Sequence, residues 1–333
     1  MKIIKKIFKR IFLSIGVLIA LVILAGLVFR LFAPEPHKPM GSLINVDDVK
    51  FHINTTGKKS NKPTVVVEAG SGLSTEYYHW LSEGLKDSVR VVRYDRAGLG
   101  YSEPSNTIRD AETIAKELHN LLKNAGESPP YILTGHSLGG PYLRVFTQLY
   151  PDEVAALVLI DATHPEQVEK FNAAPKSSFR YKSVLWGLNL AIISADLGII
   201  GLFENFSGPI FAGEGLPDEI NKRTKDLLLD GKCLRTYKSE IESYHSVLQR
   251  AKETKKFGSL PVRVFTAVEI DKNLLKEKGI TVEDYKKEHS KGQKEYLKLS
   301  RNAQQFIING NHQTIFTKKE NADIICKEIL QLL

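Results

Sequence analysis

Residues 131–146 read YILTGHSLGGPYLRVF. A short apolar run ends in the pattern G-x-S-x-G, and a segment with helical character follows directly. A serine on a sharp turn from strand to helix needs small neighbours two positions away on each side, because a Cβ there would collide with the adjoining elements. We therefore predict that this turn exposes the Ser137 hydroxyl as a nucleophile and aims free N–H groups of the following helix beside it.

The segments around this turn alternate between strand and helix patterns. Residues 43–56 predict a β-hairpin with its turn at Asp47-Asp48. Apolar and β-branched runs predict strands at residues 63–68, 89–94, 131–134, 156–160, 262–266 and 305–308. Helical spacing predicts helices at residues 111–123, after Ser137 and at the C-terminus. The alternation predicts an α/β fold with a doubly wound, mostly parallel sheet of eight strands.

Residues 165–258 interrupt this alternation, with several helical patterns and no clear strand. We interpret them as a helical cap inserted between strands 6 and 7, so that the core comprises residues 43–164 and 259–333. The apolar stretch 184–203 also allows a second membrane span as an alternative, which Asn189, Asp196 and three glycines disfavour.

The first 40 residues carry most of the net charge. They hold seven Lys and Arg residues against Glu35 alone, a charge of +6, so the other 293 residues carry only +2 of the total of +8. A nearly balanced domain argues against a nucleic-acid partner.

An uncharged and almost wholly apolar stretch occupies residues 11–29. As a helix rising roughly 1.5 Å per residue, it matches the hydrocarbon thickness of a bilayer. We interpret residues 1–10 as a basic cytoplasmic tail, 11–32 as a transmembrane signal anchor and 33–42 as a proline-rich stalk. The basic residues before the span predict a single-pass protein of the cell membrane with its catalytic domain outside the cytoplasm. A cleaved signal peptide is the alternative, but Arg30 and Pro34 flank the candidate cleavage site and disfavour it.

The chain contains two cysteines, Cys233 and Cys326, far apart in sequence. We interpret them as buried free thiols, with a disulfide as the alternative in an oxidising compartment. Cys/His spacing gives no indication of a metal site, and we expect neither a metal nor another cofactor.

A serine nucleophile needs a base, usually a histidine oriented by a carboxylate. His312 follows the last predicted strand in a turn, where it could reach across the sheet edge to Ser137. For the acid, Asp161 ends the strand that follows the nucleophile's helix, and Glu269 and Asp271 end the next strand. Both locations satisfy the chain order Ser, acid, His.

A tetrahedral intermediate also needs two N–H donors for its oxyanion. One is expected from Leu138, directly after the nucleophile, and the other from Ser71, whose N–H is exposed when Gly70 turns the backbone after the first parallel strand.

These motifs together resemble the α/β-hydrolase superfamily, in particular its cap-bearing members typified by esterases and peroxidase-like hydrolases. The resemblance covers residues 43–333 and rests on three motifs in the family's order: DRAGLGYS at 95–102, GHSLGG at 135–140 and GNH at 310–312. It implies that Ser137 is the nucleophile, His312 the base, and Ser71 and Leu138 the oxyanion donors. Asp161 matches the acid position of some members, one strand earlier than in most.

A serine at position 137 excludes the epoxide hydrolases and dehalogenases of the superfamily, because these use a carboxylate nucleophile. We therefore expect a membrane-anchored serine hydrolase that cleaves a small-molecule carboxylic ester with an apolar part. An aminopeptidase or amidase is the alternative, and it would need a cap carboxylate for the substrate amine, with candidates Glu204, Glu214, Asp218 and Glu219. A non-catalytic lipid-binding protein is a further alternative.

Overall fold

A computed structural model describes residues 2–166, 174–270 and 281–333 of the chain; Asp271 lies outside these residues. Its centre is an eight-stranded sheet with the strand order β1-β2-β4-β3-β5-β6-β7-β8. The strands are β1 (Ser42–Val46), β2 (Val49–Thr56), β3 (Thr64–Glu68), β4 (Val91–Tyr94), β5 (Tyr131–His136), β6 (Val154–Ile160), β7 (Val262–Ala267) and β8 (Ala303–Ile308). β2 pairs antiparallel with β1 and β4, and all other pairings are parallel. The predicted fold class is confirmed.

Helices cover both faces of this sheet. The described helices of eight or more residues are α1 (Lys2–Phe32), α3 (Ala111–Asn124), α4 (Gly139–Leu149), α5 (Phe179–Asp196), α6 (Ile199–Ser207), α8 (Lys232–Lys252), α9 (Val282–Lys294) and α11 (Lys319–Leu330). The shorter ones are α2 (His79–Leu85), α7 (Asp218–Thr224) and α10 (Thr314–Thr317). Alternate strand residues face opposite layers: Val66 joins the core with α3 and α4, and Val65 and Val67 join the core with α2 and α11.

The strand order decides where the loops meet. β3 lies between β4 and β5. The chain therefore places β4 on one side of β3 and then crosses back to place β5 on the other side. The loops at the carboxyl ends of β3 and β5 therefore lie next to each other at a topological switch point, the usual place for a ligand in such sheets.

Between β6 and β7 the described residues form α5 to α8 and a short 3₁₀ helix (Lys225–Leu228), which together we name the cap helices. α5 and α6 are apolar enough to pass for one span, but a bend of 83° separates them.

Helix α1 contains a 30-residue segment, Ile3–Phe32, whose most apolar 18-residue window has a mean hydropathy of 3.0, and it is long and apolar enough to cross a membrane. The helix begins at Lys2, so the basic residues that we expected to form a separate tail belong to the helix itself. Lys and Arg are good helix formers, and nothing in the sequence before residue 11 ends a helix.

Both cysteines are free and buried. Burial raises the pKa of Cys233 to about 11 and that of Cys326 to about 12, so both remain protonated thiols near neutral pH.

A buried guanidinium group joins the cap helices to the core. Arg96 pairs with Glu68 at 2.6 Å and with Glu240 of α8 at 2.7 Å, and all three side chains are at most 1% exposed. Arg96 also donates to the carbonyl oxygens of Ala69 and Gly70 at 2.6 and 2.8 Å. Burial raises the pKa of Glu68, against the opposing effect of Arg96. The cluster depends on Arg96 because no other described cation pairs with these two carboxylates.

We expect Arg96→Met to lower the free energy of unfolding by about 3–5 kcal/mol, because it leaves two carboxylates buried without their cation. Urea unfolding monitored by circular dichroism measures this. The matched control is Arg235→Met, which removes an exposed ion pair with Asp196 and should cost at most about 1 kcal/mol. Equal effects of the two substitutions would contradict the role assigned to Arg96.

Candidate active site

Ser137 occupies a strained turn between β5 and α4. Its φ is +52°, in the left-handed region, and its N–H donates to the Ile160 carbonyl oxygen at 3.2 Å. An ideal Cβ on Gly135 would lie 2.9 Å from the Gly139 backbone, and one on Gly139 would lie 2.5 Å from the Glu68 carbonyl oxygen. The two glycines of G-x-S-x-G are therefore required by the close approach of the elements around the turn.

The imidazole of His312 contacts the Ser137 hydroxyl. The Oγ of Ser137 lies 2.9 Å from Nε2 of His312, within hydrogen-bond distance. His312 lies in the loop after β8, where the Asn311 side chain accepts the N–H groups of Gln313 and Thr314 and so shapes the turn. The His312 side chain is 55% exposed, so the described cap helices do not cover it.

Of the three candidate acids, Asp161 is the one whose contact with His312 the structure describes. Its Oδ2 accepts from Nδ1 of His312 at 2.6 Å, and its Oδ1 accepts from the Ala267 N–H at 3.1 Å. Glu269 is exposed, and its N–H donates to the Gly310 carbonyl oxygen at 2.9 Å. Its carboxylate has no described bond to His312, and Asp271 is outside the described residues.

A second histidine, which the sequence analysis missed, also binds Asp161. Nε2 of His289 in α9 lies 2.7 Å from Oδ1, so each carboxylate oxygen accepts from one imidazole. Burial alone would raise the pKa of Asp161, but the hydrogen bonds from His289 and His312 lower it well below its usual range. His289 lies in a polar helix without any local motif, so the sequence offered no signal for this contact.

His136, next to Ser137, links three loops. Its Nε2 donates to the His312 carbonyl oxygen at 2.9 Å, and its Nδ1 accepts from the Tyr78 hydroxyl at 3.0 Å. The same hydroxyl accepts the Gly70 N–H at 2.8 Å. Burial, together with the neighbouring His312 ring, holds the pKa of His136 well below its ordinary value. The neutral ring therefore serves as a fixed donor and acceptor between these loops.

The loop after β3 lies against Ser137. An ideal Cβ on Gly70 would lie 3.2 Å from the Ser137 Cβ and 2.6 Å from the His136 ring, so only glycine fits. Glu240 accepts the Ser71 hydroxyl at 2.8 Å and the Gly72 N–H at 3.0 Å. In the described part of the chain, the backbone N–H groups of Ser71 and Leu138 donate to no protein acceptor.

A cavity of about 200 Å³ opens beside this loop. The residues that line it come from the segment between β3 and α2, from the cap helices and from the connection between α6 and α7. They are Ser71, Gly72, Leu73, Tyr77, Phe211, Thr224, Leu227, Leu228, Cys233, Leu234 and Tyr237. Most of these side chains are apolar or aromatic, as is usual for small-molecule pockets. No carboxylate belongs to this lining, so the candidates Glu204, Glu214, Asp218 and Glu219 lie elsewhere.

Comparison with known proteins finds a matching family model and several similar proteins. A family model described as the alpha/beta hydrolase fold matches residues 63–186. The uncharacterized protein YbdG of Bacillus subtilis is 32% identical over 173 residues, which cover 50% of this chain and 53% of YbdG. An uncharacterized vacuolar membrane protein of Saccharomyces cerevisiae is 32% identical over 130 residues, 37% of this chain and 20% of the yeast protein.

A thermophilic esterase from Thermogutta terrifontis has a similar structure, with a TM-score of 0.57 and 17% identity over 90% of this chain and 98% of the esterase. At this identity the similarity concerns the fold. The chain spans about half the length, or less, of the curated relatives named above. The family match over residues 63–186 and the shared architecture agree with the turn that carries Ser137, and the chain has the alpha/beta hydrolase fold.

Proposed function

We propose that this hydrolase is a serine enzyme that cleaves a carboxylic ester through an acyl-enzyme intermediate. The observation that carries the proposal is the continuous chain of hydrogen-bond distances from Ser137 Oγ through the His312 ring to Asp161, 2.9 and 2.6 Å. Nucleophile, base and orienting carboxylate in this geometry are the recurring arrangement of acyl-transfer enzymes.

In the proposed reaction, His312 Nε2 takes the proton of Ser137 as Oγ attacks the ester carbonyl carbon. The oxyanion of the tetrahedral intermediate accepts the N–H groups of Leu138 and Ser71. His312 then gives its proton to the departing alcohol, which leaves an acyl-serine ester. Water, deprotonated by the same imidazole, attacks that ester. The bond between the acyl carbon and Oγ then breaks, Ser137 Oγ takes the proton back from His312, and the acid leaves. Asp161 holds the ring in the required tautomer and stabilises the imidazolium that forms.

We further propose that residues 11–32 anchor the enzyme in the cell membrane as a single span, with residues 1–10 cytoplasmic, residues 33–42 as a stalk, and the domain outside. The length and hydropathy of α1 support a span, and the basic residues before it support the orientation. The hydrolase core then comprises residues 43–164 and 259–333, with residues 165–258 as a cap that selects the apolar part of the substrate.

A fluorophosphonate probe should label the wild-type chain and fail to label Ser137→Ala, because the probe reacts with an activated serine hydroxyl. Gel fluorescence measures the labelling. The matched control is Ser71→Ala, whose hydroxyl contacts Glu240 rather than a histidine, and it should retain the label. Unlabelled but folded wild-type protein would refute the proposed function.

Asp161→Asn should lower kcat/KM for an ester by about 10⁴-fold, because an amide in this position favours the wrong tautomer of His312. Glu269→Gln, which changes an exposed carboxylate at the alternative position, should leave it unchanged. Steady-state kinetics with a nitrophenyl ester distinguishes the two. A larger loss of kcat/KM in Glu269→Gln than in Asp161→Asn would assign the acid to the end of β7.

The pH dependence of unfolding gives an independent measure of the same carboxylate. A folded-state pKa below the unfolded value stabilises the fold above the unfolded pKa, about 4, and this stability is lost as the pH falls toward the folded pKa. The difference in unfolding free energy between wild type and Asp161→Asn should therefore shrink as the pH is lowered below about 4. A difference that stays constant would contradict the charged state assigned to Asp161.

The alternative substrate class is tested by comparing nitrophenyl esters with aminoacyl nitroanilides. We expect turnover of the esters alone, because the cavity lining contains no carboxylate for a substrate amine. Faster hydrolysis of the anilides would establish the aminopeptidase alternative, whereas lipid binding without turnover of either would indicate a non-catalytic binding protein.

A further inference from the structure

Helix α5 has two apolar faces, of which the structure explains only one. On the inner side, Ala191, Ile192 and Ala195 pack against the cap residues Leu228 and Leu234. An inner face of this kind is ordinary for a helix that lies on a domain.

The opposite side of α5 and part of α6 are exposed and largely apolar, with Lys182 and Ser183 as polar residues on that side of α5. This outer face consists of Phe179, Trp186, Leu190, Ile193, Phe203 and Phe206, with exposed fractions from 46% for Leu190 to 86% for Phe179. The four α5 positions follow the spacing seven, four and three, which aligns them along one side of a helix. Contiguous exposed apolar side chains of this size mark an interaction surface.

The end of helix α1 packs directly beside this outer face. Glycines on both sides allow the contact: an ideal Cβ on Gly26 would lie 2.5 Å from the Leu197 carbonyl oxygen, and one on Gly201 would lie 2.8 Å from the Phe29 ring. The Arg30 guanidinium donates to the Asp196 carbonyl oxygen at the end of α5. Small residues that let helix backbones approach closely are typical of contacts between helices in membranes.

The position of this contact along α1 sets its depth. Gly26 lies three residues before the end of the apolar stretch 11–29, which is about 5 Å along a helix. If α1 spans a bilayer as proposed, the corner between α5 and α6 lies at the membrane–water boundary. An apolar face beside that corner is then in reach of the acyl chains.

We propose that the outer face of α5 and α6 is embedded in the outer leaflet, and that the substrate is an ester lipid that enters the cavity from the bilayer. The inference rests on the proposed function, since it assumes both the anchor and the esterase chemistry. Leu228 and Leu234 touch the inner side of α5 and also line the cavity. Phe211, a lining residue that follows α6, is 51% exposed. One layer of cap helices therefore separates the bilayer from the pocket beside Ser71.

Tryptophan fluorescence tests the embedding directly. The chain has two tryptophans: Trp186 on the outer face, 66% exposed, and Trp80 in α2, whose ring nitrogen donates to the Gly215 carbonyl oxygen. The full chain is placed in nanodiscs of lipids with brominated acyl chains. Bromine should quench Trp186 in the Trp80→Phe variant and leave Trp80 unquenched in the Trp186→Phe variant. Unquenched Trp186 would overturn the proposal whatever the enzyme's activity.

Kinetics tests the delivery of the substrate. A variant with serine at four outer-face positions, Leu190, Ile193, Phe203 and Phe206, should lose about tenfold or more in turnover of a long-chain glycerol ester within a bilayer. Its turnover of a soluble short-chain nitrophenyl ester should be unchanged. The matched control places serine at four exposed apolar positions elsewhere, Leu43, Ile108, Ile307 and Ile324, and should retain both activities.

The outcomes separate the two proposals. If the outer-face variant loses both activities, or neither, the proposed entry of the substrate from the bilayer is wrong. Absence of turnover of either ester by the wild-type chain counts against the proposed function instead, and the fluorescence result then still decides whether the outer face is embedded.

Discussion

The close approach of backbones around Ser137 is the constraint on which the site depends. A residue with a Cβ at φ +52° is strained, and the turn persists because β5, α4 and the loop after β3 pack tightly around it. Gly135, Gly139 and Gly70 stand where a side-chain atom would overlap a neighbour. With the turn held, the Ser137 hydroxyl stays within hydrogen-bond distance of the His312 ring. Without it, the contact between Ser137 and His312 would be lost.

Polar groups hold the loops around that turn in two different ways. The neutral ring of His136 connects the turn at Ser137 to the His312 loop and, through Tyr78, to the loop at Gly70. The charged group of Arg96 binds the carbonyl oxygens of the same loop and pairs with Glu240 of a cap helix. A buried ion pair stabilises little by itself, but it tolerates few arrangements. The cap helix and the loop after β3 are thereby fixed relative to each other.

The cap helices have two tasks in the function that we propose. Their inner surfaces form the cavity, and the outer face of α5 and α6 lies beside the end of α1. A hydrolase whose substrate is dissolved in water has no use for an exposed apolar face of this kind. For an ester lipid, the same face lets the acyl chain pass from one apolar environment to another, which avoids the cost of exposing it to water.

The amino-acid sequence by itself determined the eight strands, the class of the fold, the turn at Ser137 and the position of His312 on the sheet edge. These features depend on local periodicity and on glycines at fixed spacing, which are properties of neighbouring residues. Only the tertiary structure distinguished Asp161 from Glu269 and brought His289 and Glu240 to the site, because the distance between side chains on different elements follows from packing. For the same reason, the sequence did not decide which face of α5 is exposed. An apolar helix has the same sequence pattern whether a protein core or a bilayer covers it.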